Sequence, residues 1–239
     1  MRLRIATMNL WGLPAPLSVH KPQRMRDAAE IILSRRLDIV ALQEVWMLRD
    51  IAFLKKRLAG YHVFVVPNIF FNTSGMMLFS RFPLTAALYH PFKRSFFNKE
   101  IPSRKGYYRA IVQIQGIGIT LFNTHLYYSS GDNESTVHAS QLRELTAALD
   151  HRPTILMGDF NATHGSLHFP VGYQLLSNPN ALTVLRDNPY ANKRFNSINS
   201  SDRSPDLLYA NFPHRLIDAH AIPSPFVSDH SPVVAEIEL

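Results

Sequence analysis

The chain has 239 residues, of which 46% are hydrophobic, and it carries a formal net charge of +7. This length and hydrophobic fraction suit a large globular core, and we expect one domain over residues 1–239. The absence of cysteine excludes disulfides and thiol catalysis and disfavours structural zinc, while the basic charge favours nucleic acid, an anionic membrane surface or a phosphorylated metabolite as partner.

The first third of the chain alternates apolar strands with amphipathic helices. A strand over residues 2–8 ends at Asn9, and a buried strand over 38–42 ends next to Glu44. The remaining predicted elements here are helices over 22–36 and 51–58 and strands over 61–66 and 75–80. No apolar stretch approaches the ~20 residues of a membrane span, and the N-terminus lacks the apolar core of a signal peptide. We therefore expect a soluble protein and leave its compartment open.

Residues 81–110 hold most of the net charge. They contain seven basic residues against one acid, with seven aromatic residues interleaved. Within this stretch, residues 91–109 form a basic aromatic segment. We expect this segment to contact an anionic membrane peripherally, with Phe96, Phe97, Tyr107 and Tyr108 at the interface. Two alternatives stay open, because the same pattern could bind single-stranded nucleic acid and half of the aromatic residues could belong to the core.

The second half predicts further strands that end in polar residues. A hairpin about Gly116 ends at His125, and a short buried strand over 154–157 leads into Gly158-Asp159-Phe160-Asn161, where glycine allows a tight turn. Between and after these come a loop over 129–135, a helix around 142–149, a long loop over 161–205 with a short helix near 180–185, and strands over 206–209, 216–222 and 233–239.

Eight polar residues lie at or beside the ends of these predicted strands. Each one alone fits a turn, a cap or a surface ion pair, but together they offer carboxylates for a hard metal ion, amides for phosphate oxygens and imidazoles for proton transfer. Hydrolysis of a phosphate ester requires that combination. No serine nucleophile motif or Gly-rich phosphate loop is present in the sequence, so water is the expected attacking group. The eight are Asn9, Glu44, His125, Asp159, Asn161, Asp206, Asp229 and His230.

Six short motifs carry a resemblance to the endonuclease/exonuclease/phosphatase superfamily, whose fold is DNase I-like. They are MNLWG at 8–12, LQEVW at 42–46, NTHL at 123–126, MGDFNAT at 157–163, DLLY at 206–209 and SDHSPV at 228–233. The resemblance implies an α/β (α+β) fold: a four-layer α/β/β/α sandwich of two packed, mostly antiparallel sheets with outer helices. The N-terminal third is most similar to the neutral sphingomyelinase-like branch, through NLWGLP, LDIVALQEVW and GMMLFSRFPL.

The resemblance also implies a metal site and a substrate contact. Glu44 matches the principal Mg²⁺ ligand, with Mn²⁺ as an alternative ion, while Asn9 lies beside it and Asp229 near the metal. Lys105 and Arg104 lie where that branch has a basic, glycine-containing segment, and we expect them to bind substrate together with Asn161, which is also a catalytic candidate.

The catalytic roles follow from the same resemblance. His230 matches the general base and Asp206 the acid that hydrogen-bonds it. His125 matches the histidine that stabilises the pentacovalent phosphate, and Asp159 with Asn161 matches the pair that orients water and phosphate. The family often has an arginine two residues before the Asp206 position, whereas this chain has Ser204, which leaves the orientation of Asp206 open.

These assignments predict an Mg²⁺-dependent phosphodiesterase that uses water to hydrolyse a phospholipid headgroup of the sphingomyelin type. The alternative is a metal-dependent endonuclease or exonuclease acting on DNA or RNA, which the basic charge also favours. The two predictions share one site and differ in whether a phospholipid or a nucleic acid is the partner. No obligate protein partner is implied.

Overall fold

The computed structural model of the chain describes residues 1–93, 103–128, 132–178, 181–185, 187–190 and 203–239. In the third helix, side chains are described from Thr136 onward. The helices are α1 (Lys21–Ser34), α2 (Leu48–Arg57) and α3 (Asp132–Ala148), and a 3₁₀ turn covers His164–Ser166. The strands are β1 (Arg2–Asn9), β2 (Ile39–Gln43), β3 (His62–Phe64), β4 (Met77–Ser80), β5 (Thr85–Pro91), β6 (Gly106–Ile114), β7 (Ile117–His125), β8 (Thr154–Asp159), β9 (Gln174–Leu175), β10 (Asp206–Ala210), β11 (Arg215–Ala221) and β12 (Val233–Glu238).

These strands form two six-stranded sheets. The first has the order β11-β12-β1-β2-β4-β3 and the second β5-β6-β7-β8-β10-β9. Parallel pairing joins β1 to β2 and β7 to β8. The other described strand pairs are antiparallel. The predicted four-layer sandwich with mostly antiparallel sheets is therefore confirmed.

Alternation along the strands builds three apolar layers. Side chains such as Leu3 and Ile5 of β1 meet Leu121 and Met157 of the second sheet in a core between the sheets. The opposite face of the first sheet packs on α1 and α2. The opposite face of the second sheet packs on α3. Both faces of each central strand are thus buried, which explains their near-continuous apolar sequence.

The face between the sheets changes from apolar to polar at one end. Leu3 and Ile5 on β1 are followed on the same face by Thr7 and Asn9, because side chains two residues apart point the same way. Strands β7, β8 and β10 show the same change. A buried hydrogen bond of 2.8 Å from Gln43 Nε2 to Asn123 Oδ1 spans the sheets beneath the polar end. Because alternate residues of a strand share one face, the polar side chains at the strand ends lie on the same face as the core residues and point into the gap between the sheets.

Three sequence predictions about elements are corrected. Helix α3 begins at Asp132, inside the predicted loop over 129–135, of which 129–131 lie outside the described residues. The expected short helix near 180–185 is absent from the described residues 181–185, where Val184 instead forms bridges with Arg203 and His230. Strand β5 was not predicted within the basic stretch. Strand pairing with distant segments decides the structure around Val184 and in β5, where the local patterns are weak.

The basic aromatic segment is corrected in part. Tyr108 is 0% exposed and lies in the core between the sheets, and Phe92 is buried on the other face of the second sheet. Tyr107 stacks on His90 with ring centroids 4.9 Å apart. The prediction that Tyr108 contacts a membrane is therefore wrong, because its side chain lies in the core between the sheets. Tyr107 points to the opposite face of β6 and is only partly buried, so its membrane contact stays a prediction. Phe96 and Phe97 lie outside the described residues.

Within the part of the chain that the structure describes, none of the helices has the length and apolarity needed to cross a membrane.

Arg24 of α1 is a fully buried cation that connects two loops at the polar end of the sheets. Its guanidinium donates to the backbone carbonyls of Leu10, Trp11, Val19 and Val227, at 2.7 to 3.1 Å.

We expect Arg24→Met to lower the free energy of unfolding by about 3 kcal/mol or more, because it leaves several buried carbonyl groups without a hydrogen-bond donor. Urea denaturation measures this loss. The neighbouring exposed Arg26 provides the control, since Arg26→Met should change stability by less than about 0.5 kcal/mol; equal effects would contradict the role of Arg24.

Candidate active site

Strand registry brings the predicted residues of the second sheet together. His125 at the end of β7 is paired with Asp159 at the end of parallel β8, and Asp159 is paired with Asp206 at the start of antiparallel β10. All three side chains are almost completely buried. Three adjacent strands thus deliver an imidazole and two carboxylates to one edge.

His230 joins this group from the loop before β12. Its Nδ1 lies 2.8 Å from Asp206 Oδ2 and 3.9 Å from Asp159 Oδ2. Thr183 Oγ1 donates to the same Asp206 oxygen at 2.6 Å. Because Ser231 N donates to the Thr183 carbonyl at 2.7 Å, the segment around Thr183 holds both partners in place. The orientation of Asp206, which the missing family arginine left open, is therefore set by His230 and Thr183.

Asn9 connects the two sheets across the site. Its Nδ2 donates to Asp159 Oδ2 at 2.9 Å and to Glu44 Oε1 at 3.0 Å. Its Oδ1 accepts the backbone N–H of Trp11 at 2.9 Å, which fixes the amide orientation. Trp46 Nε1 donates to Glu44 Oε2 at 3.4 Å. One amide therefore places the Glu44 carboxylate beside the carboxylate of the opposite sheet.

The backbone around these residues is strained. Trp11, Glu44 and Asn161 adopt left-handed φ angles of 41°, 57° and 49°. Such angles are uncommon outside glycine and cluster at functional sites. The loop after β1 also approaches Glu44 closely, since a Cβ on Gly12 would lie 2.2 Å from the Glu44 carbonyl oxygen. Glycine is required at position 12 because no side chain fits there.

Gly158 has a different role from the predicted tight turn. It lies inside β8, and a Cβ there would lie 2.1 Å from the Thr124 carbonyl oxygen of β7. The turn comes at Asn161 instead, whose backbone N–H donates to Asp159 Oδ1 at 2.9 Å. The Asn161 side chain donates to the Leu126 carbonyl at 3.0 Å. Asn161 is thus fixed both by Asp159 and by Leu126, the residue that follows β7.

Lys105 contributes a buried ammonium group on the other side of His125. Its Nζ donates to the Leu126 carbonyl at 2.7 Å and lies 3.1 Å from His125 Nε2. A lysine can only donate, so His125 accepts at Nε2 and carries its proton on Nδ1. Among the described residues, Nδ1 of His125 has no hydrogen-bond partner. The site therefore holds a buried imidazole donor beside a fixed cation.

The two histidines differ in charge. Burial lowers the pKa of His125 to about 3, and the Lys105 charge acts in the same direction. Burial also opposes the charged form of His230, but attraction to Asp206, Asp159 and Asp229 outweighs it and raises its pKa to about 10. Near neutral pH the residues of the chain therefore favour a neutral His125 and a protonated His230.

The carboxylates fall into two groups. Burial opposes ionisation of Asp159, yet His125, His230 and Asn9 hold its pKa below the usual value. Burial raises the pKa of Asp206 despite its bond to His230. Burial likewise raises the pKa of Glu44, and the negative charge of Asp229 adds to the increase. The Asn9 amide and the charges of Lys105 and His230 oppose this increase in the pKa of Glu44 but do not outweigh it.

Two sets of residues could hold a metal ion. Asp159, Asp206 and His230 have ligand atoms within 4.8 Å of one another, a group found among the described residues. However, the close ring nitrogen of His230 donates to Asp206 and cannot bind a metal while it carries that proton. Glu44 and Asp229 offer mutually repelling oxygen ligands, which suits a hard divalent cation. A cation held by Glu44, with Asp229 near it, therefore stays a prediction from the sequence.

Most of the sequence-predicted residues meet at this edge. Arg104 is held by backbone bonds to Thr73 and Tyr89, and its contact with substrate stays a prediction. Sequence reasoning missed the contributions of Thr183 and Trp46. Trp46 could have been found, since it closes the LQEVW motif, whereas the loop around Thr183 carries no local signal. The residues brought together are Asn9, Glu44, Lys105, His125, Asp159, Asn161, Asp206, Asp229 and His230.

A sequence profile described as the endonuclease/exonuclease/phosphatase family matches residues 6–230, from β1 to His230. The chain belongs to the endonuclease/exonuclease/phosphatase family. The curated relatives of this family member include sphingomyelin phosphodiesterase 2 of Rattus norvegicus, 27% identical over 67% of this chain and 41% of that protein. Inositol phosphosphingolipids phospholipase C of Schizosaccharomyces pombe is 28% identical over 66% of the chain and 41% of that protein. The chain spans about two fifths of the length of the curated relatives it matches.

Solved structures show the same fold. TDP2 of D. rerio, in complex with a single-strand DNA product, superposes with a TM-score of 0.77 at 19% identity and covers 100% of this chain and 99% of its own. Sphingomyelinase C from Streptomyces griseocarneus superposes with a TM-score of 0.76 at 17% identity, over 99% of both chains. The superfamily resemblance is confirmed, and the sphingomyelinases among the relatives are what the chain is similar to. Identities this low between the solved structures and this chain show the fold alone.

Proposed function

We propose that this family member is a divalent-cation-dependent phosphodiesterase that hydrolyses a phospholipid headgroup diester of the sphingomyelin type. Water attacks phosphorus, the bond from phosphorus to the leaving oxygen breaks, and the products are a phosphomonoester and an alcohol. The cation is Mg²⁺, with Mn²⁺ as the alternative. The hydrogen-bonded pair of His230 and Asp206, placed within reach of Asp159 at the edge where Glu44 also lies, carries the proposal.

His230 accepts the proton of water. Its Nδ1 is engaged by Asp206 at 2.8 Å, which leaves Nε2 as the proton-accepting atom. A pKa of about 10 makes this imidazole a strong base that is mostly protonated at neutral pH. A divalent cation bound nearby would disfavour the charged form and lower that pKa. Asp159, whose low pKa keeps it charged, orients the water together with Asn161.

His125 and Lys105 act on the phosphate. A neutral His125 with its proton on Nδ1 is a donor for a phosphate oxygen in the crowded transition state. Lys105, held by the Leu126 carbonyl, adds a fixed positive charge beside it. Such donors accelerate the reaction because they are oriented before charge develops.

Glu44 and Asp229 would hold the cation, with Asn9 fixing the Glu44 carboxylate. The bound cation would neutralise charge on the phosphate and on the leaving oxygen. Asn9 cannot rotate freely, because it also bonds Asp159 and Trp11. The site is therefore organised for metal binding by hydrogen bonds that the protein makes on its own.

The choice of a lipid over a nucleic acid rests on the curated relatives. Those named above are a sphingomyelin phosphodiesterase and an inositol phosphosphingolipid phospholipase C. The second candidate function is a nuclease, supported by the formal charge of +7 and by the fold shared with a DNA-bound TDP2. Since both classes can use the same catalytic residues, only a direct comparison of substrates separates them.

That comparison presents the protein with sphingomyelin vesicles, plasmid DNA, single-stranded DNA and the water-soluble bis(p-nitrophenyl) phosphate. We expect release of a phosphomonoester from sphingomyelin with Mg²⁺ and none in EDTA. Cleavage of DNA alone would reject the lipid substrate and favour the nuclease. Absence of cleavage of all four substrates with both Mg²⁺ and Mn²⁺ would reject the phosphodiesterase.

A further inference from the structure

Two neighbouring apolar side chains project into solvent from the loop between β3 and β4. Ile69 is 81% exposed and Phe70 is 73% exposed, the highest values among the described large hydrophobic side chains except Val171 at 97%. We name residues 66–71 the apolar rim loop. Scattered exposed apolar residues are ordinary, but two adjacent ones at a loop tip mark an interaction surface.

The apolar rim loop is held in one conformation. Asn68 Oδ1 accepts the backbone N–H groups of Phe70 and Phe71, both at 2.8 Å, and Asn68 N donates to the Phe71 carbonyl at 2.9 Å. A tight turn of this kind fixes the backbone that carries Ile69 and Phe70. Local hydrogen bonds therefore fix the backbone so that the side chains of Ile69 and Phe70 point into solvent.

This loop adjoins the Glu44 end of the active site. Phe71 forms an antiparallel bridge with Met47, and Asn72 N donates to the Trp46 carbonyl at 2.8 Å. Asn72 Nδ2 also bonds the Val45 carbonyl at 2.9 Å. The rim loop is therefore attached to the three residues that follow Glu44, so a partner that contacts its tip lies close to the catalytic residues.

Basic residues accompany the loop. Arg49, two residues after Met47, has a side chain that is 70% exposed. The backbone of Arg104 donates to the Thr73 carbonyl at 2.8 Å, which places this arginine at the other end of the loop. Apolar side chains at a tip with basic side chains around them are complementary to a bilayer, whose acyl chains lie beneath anionic headgroups.

Nucleic acid fits this tip less well than a bilayer. Single strands are bound by aromatic rings that stack on bases. Ile69 has no ring, and it is the more exposed of the two side chains. An aliphatic side chain gains most from transfer into hydrocarbon.

We propose that Ile69 and Phe70 insert into the surface of a phospholipid bilayer that contains anionic headgroups, and hold the Glu44 end of the site against them. This proposal rests on the proposed lipid phosphodiesterase function and adds how the protein would reach its substrate. Binding to the bilayer can nevertheless be measured without turnover. The rim loop takes the place of Tyr108, which the sequence analysis had assigned to the membrane and which is buried in the core between the sheets.

The test compares the native protein with the double variant Ile69→Ser/Phe70→Ser and with the matched control Val171→Ser. Sedimentation with phosphatidylcholine/phosphatidylserine vesicles in EDTA should show at least about tenfold weaker binding for the double variant, since each buried side chain contributes that much or more. Binding by the control should equal that of the native protein. All three proteins should hydrolyse bis(p-nitrophenyl) phosphate in solution equally, because neither site contains a catalytic candidate.

Three outcomes overturn the proposal. They are native-like vesicle binding by the double variant, an equal loss in the control, and a native protein that stays in the supernatant. A double variant that keeps vesicle binding but loses retention on single-stranded DNA would assign the loop to nucleic acid instead. Failure of the proposed function gives a different result, namely vesicle binding without hydrolysis of any diester.

A second measurement locates the side chain. Tryptophan at position 70, introduced as Phe70→Trp, should be quenched by brominated acyl chains beyond the quenching of Trp11 and Trp46 in the native protein. Equal quenching in the two proteins would also overturn the proposal. This readout does not depend on whether the double variant folds as well as the native protein.

Discussion

Replacement of His230 by alanine should lower kcat on bis(p-nitrophenyl) phosphate by about 10²- to 10⁴-fold, the range expected for the loss of a general acid or base. The residue is 7% exposed, and its Nδ1 is fixed by Asp206 at 2.8 Å. No other described imidazole is hydrogen-bonded to Asp206 in this way, so nothing in the described structure replaces its Nε2. KM should change much less than kcat, because the phosphate contacts that we propose lie on His125 and Lys105.

A second histidine–carboxylate pair provides the control. His220 Nδ1 lies 2.7 Å from Asp218 Oδ2, nearly the same geometry, but the pair is on the surface of β11. His220→Ala should leave kcat unchanged. A loss of similar size in both variants, or unchanged hydrolysis in His230→Ala, would contradict the assignment of His230.

Replacement of Glu44 by glutamine should remove most of the affinity for Mg²⁺ and reduce hydrolysis at least about hundredfold, since even the partners of metal ligands cost 10- to 100-fold in affinity or activity. The substitution keeps the size of the side chain and removes one negative charge beside Asp229. Because that charge repulsion is the feature a cation would relieve, its removal weakens the reason for the cation to bind.

Mg²⁺ affinity is measured by isothermal titration calorimetry on the native protein and on Glu44→Gln, without substrate. Glu30→Gln is the matched control, because the Glu30 side chain is 66% exposed on α1 and should leave both affinity and activity unchanged. Native Mg²⁺ affinity in Glu44→Gln would place the cation elsewhere, and the cluster of Asp159, Asp206 and His230 would then be the first candidate.

Two features of the sequence allowed much of the candidate site to be predicted: the two-residue alternation of apolar side chains along each strand, and the polar residues at the strand ends. Asn9, His125 and Asp159 each continue the inward-facing set of an apolar strand, so a two-residue period already aims them at the core face. Their motifs, in order along the chain, pointed to the family that the profile match confirms. The same local signals placed helix α1 and strands β1, β2, β10 and β12 within about two residues.

The sequence could not specify contacts between distant segments. Asn9 and Asp159 are 150 residues apart, and only the packing of one sheet on the other brings the amide to the carboxylate. Thr183 reaches Asp206 from a loop with no periodic pattern. Likewise, pairing of β6 with β5 and β7 places Tyr108 in the core, although the basic and aromatic composition of residues 91–109 had suggested a surface role.

The sequence by itself thus determined the residue types of the site and the face of each strand that carries them, because side-chain alternation is a local property of extended backbone. Only the tertiary structure decided which of these side chains touch and how Asp206 is oriented. It also decided that Tyr108 of β6 is buried while Ile69 and Phe70 are exposed. Those outcomes depend on sheet registry and loop anchoring between residues far apart in the chain, for which no local pattern exists.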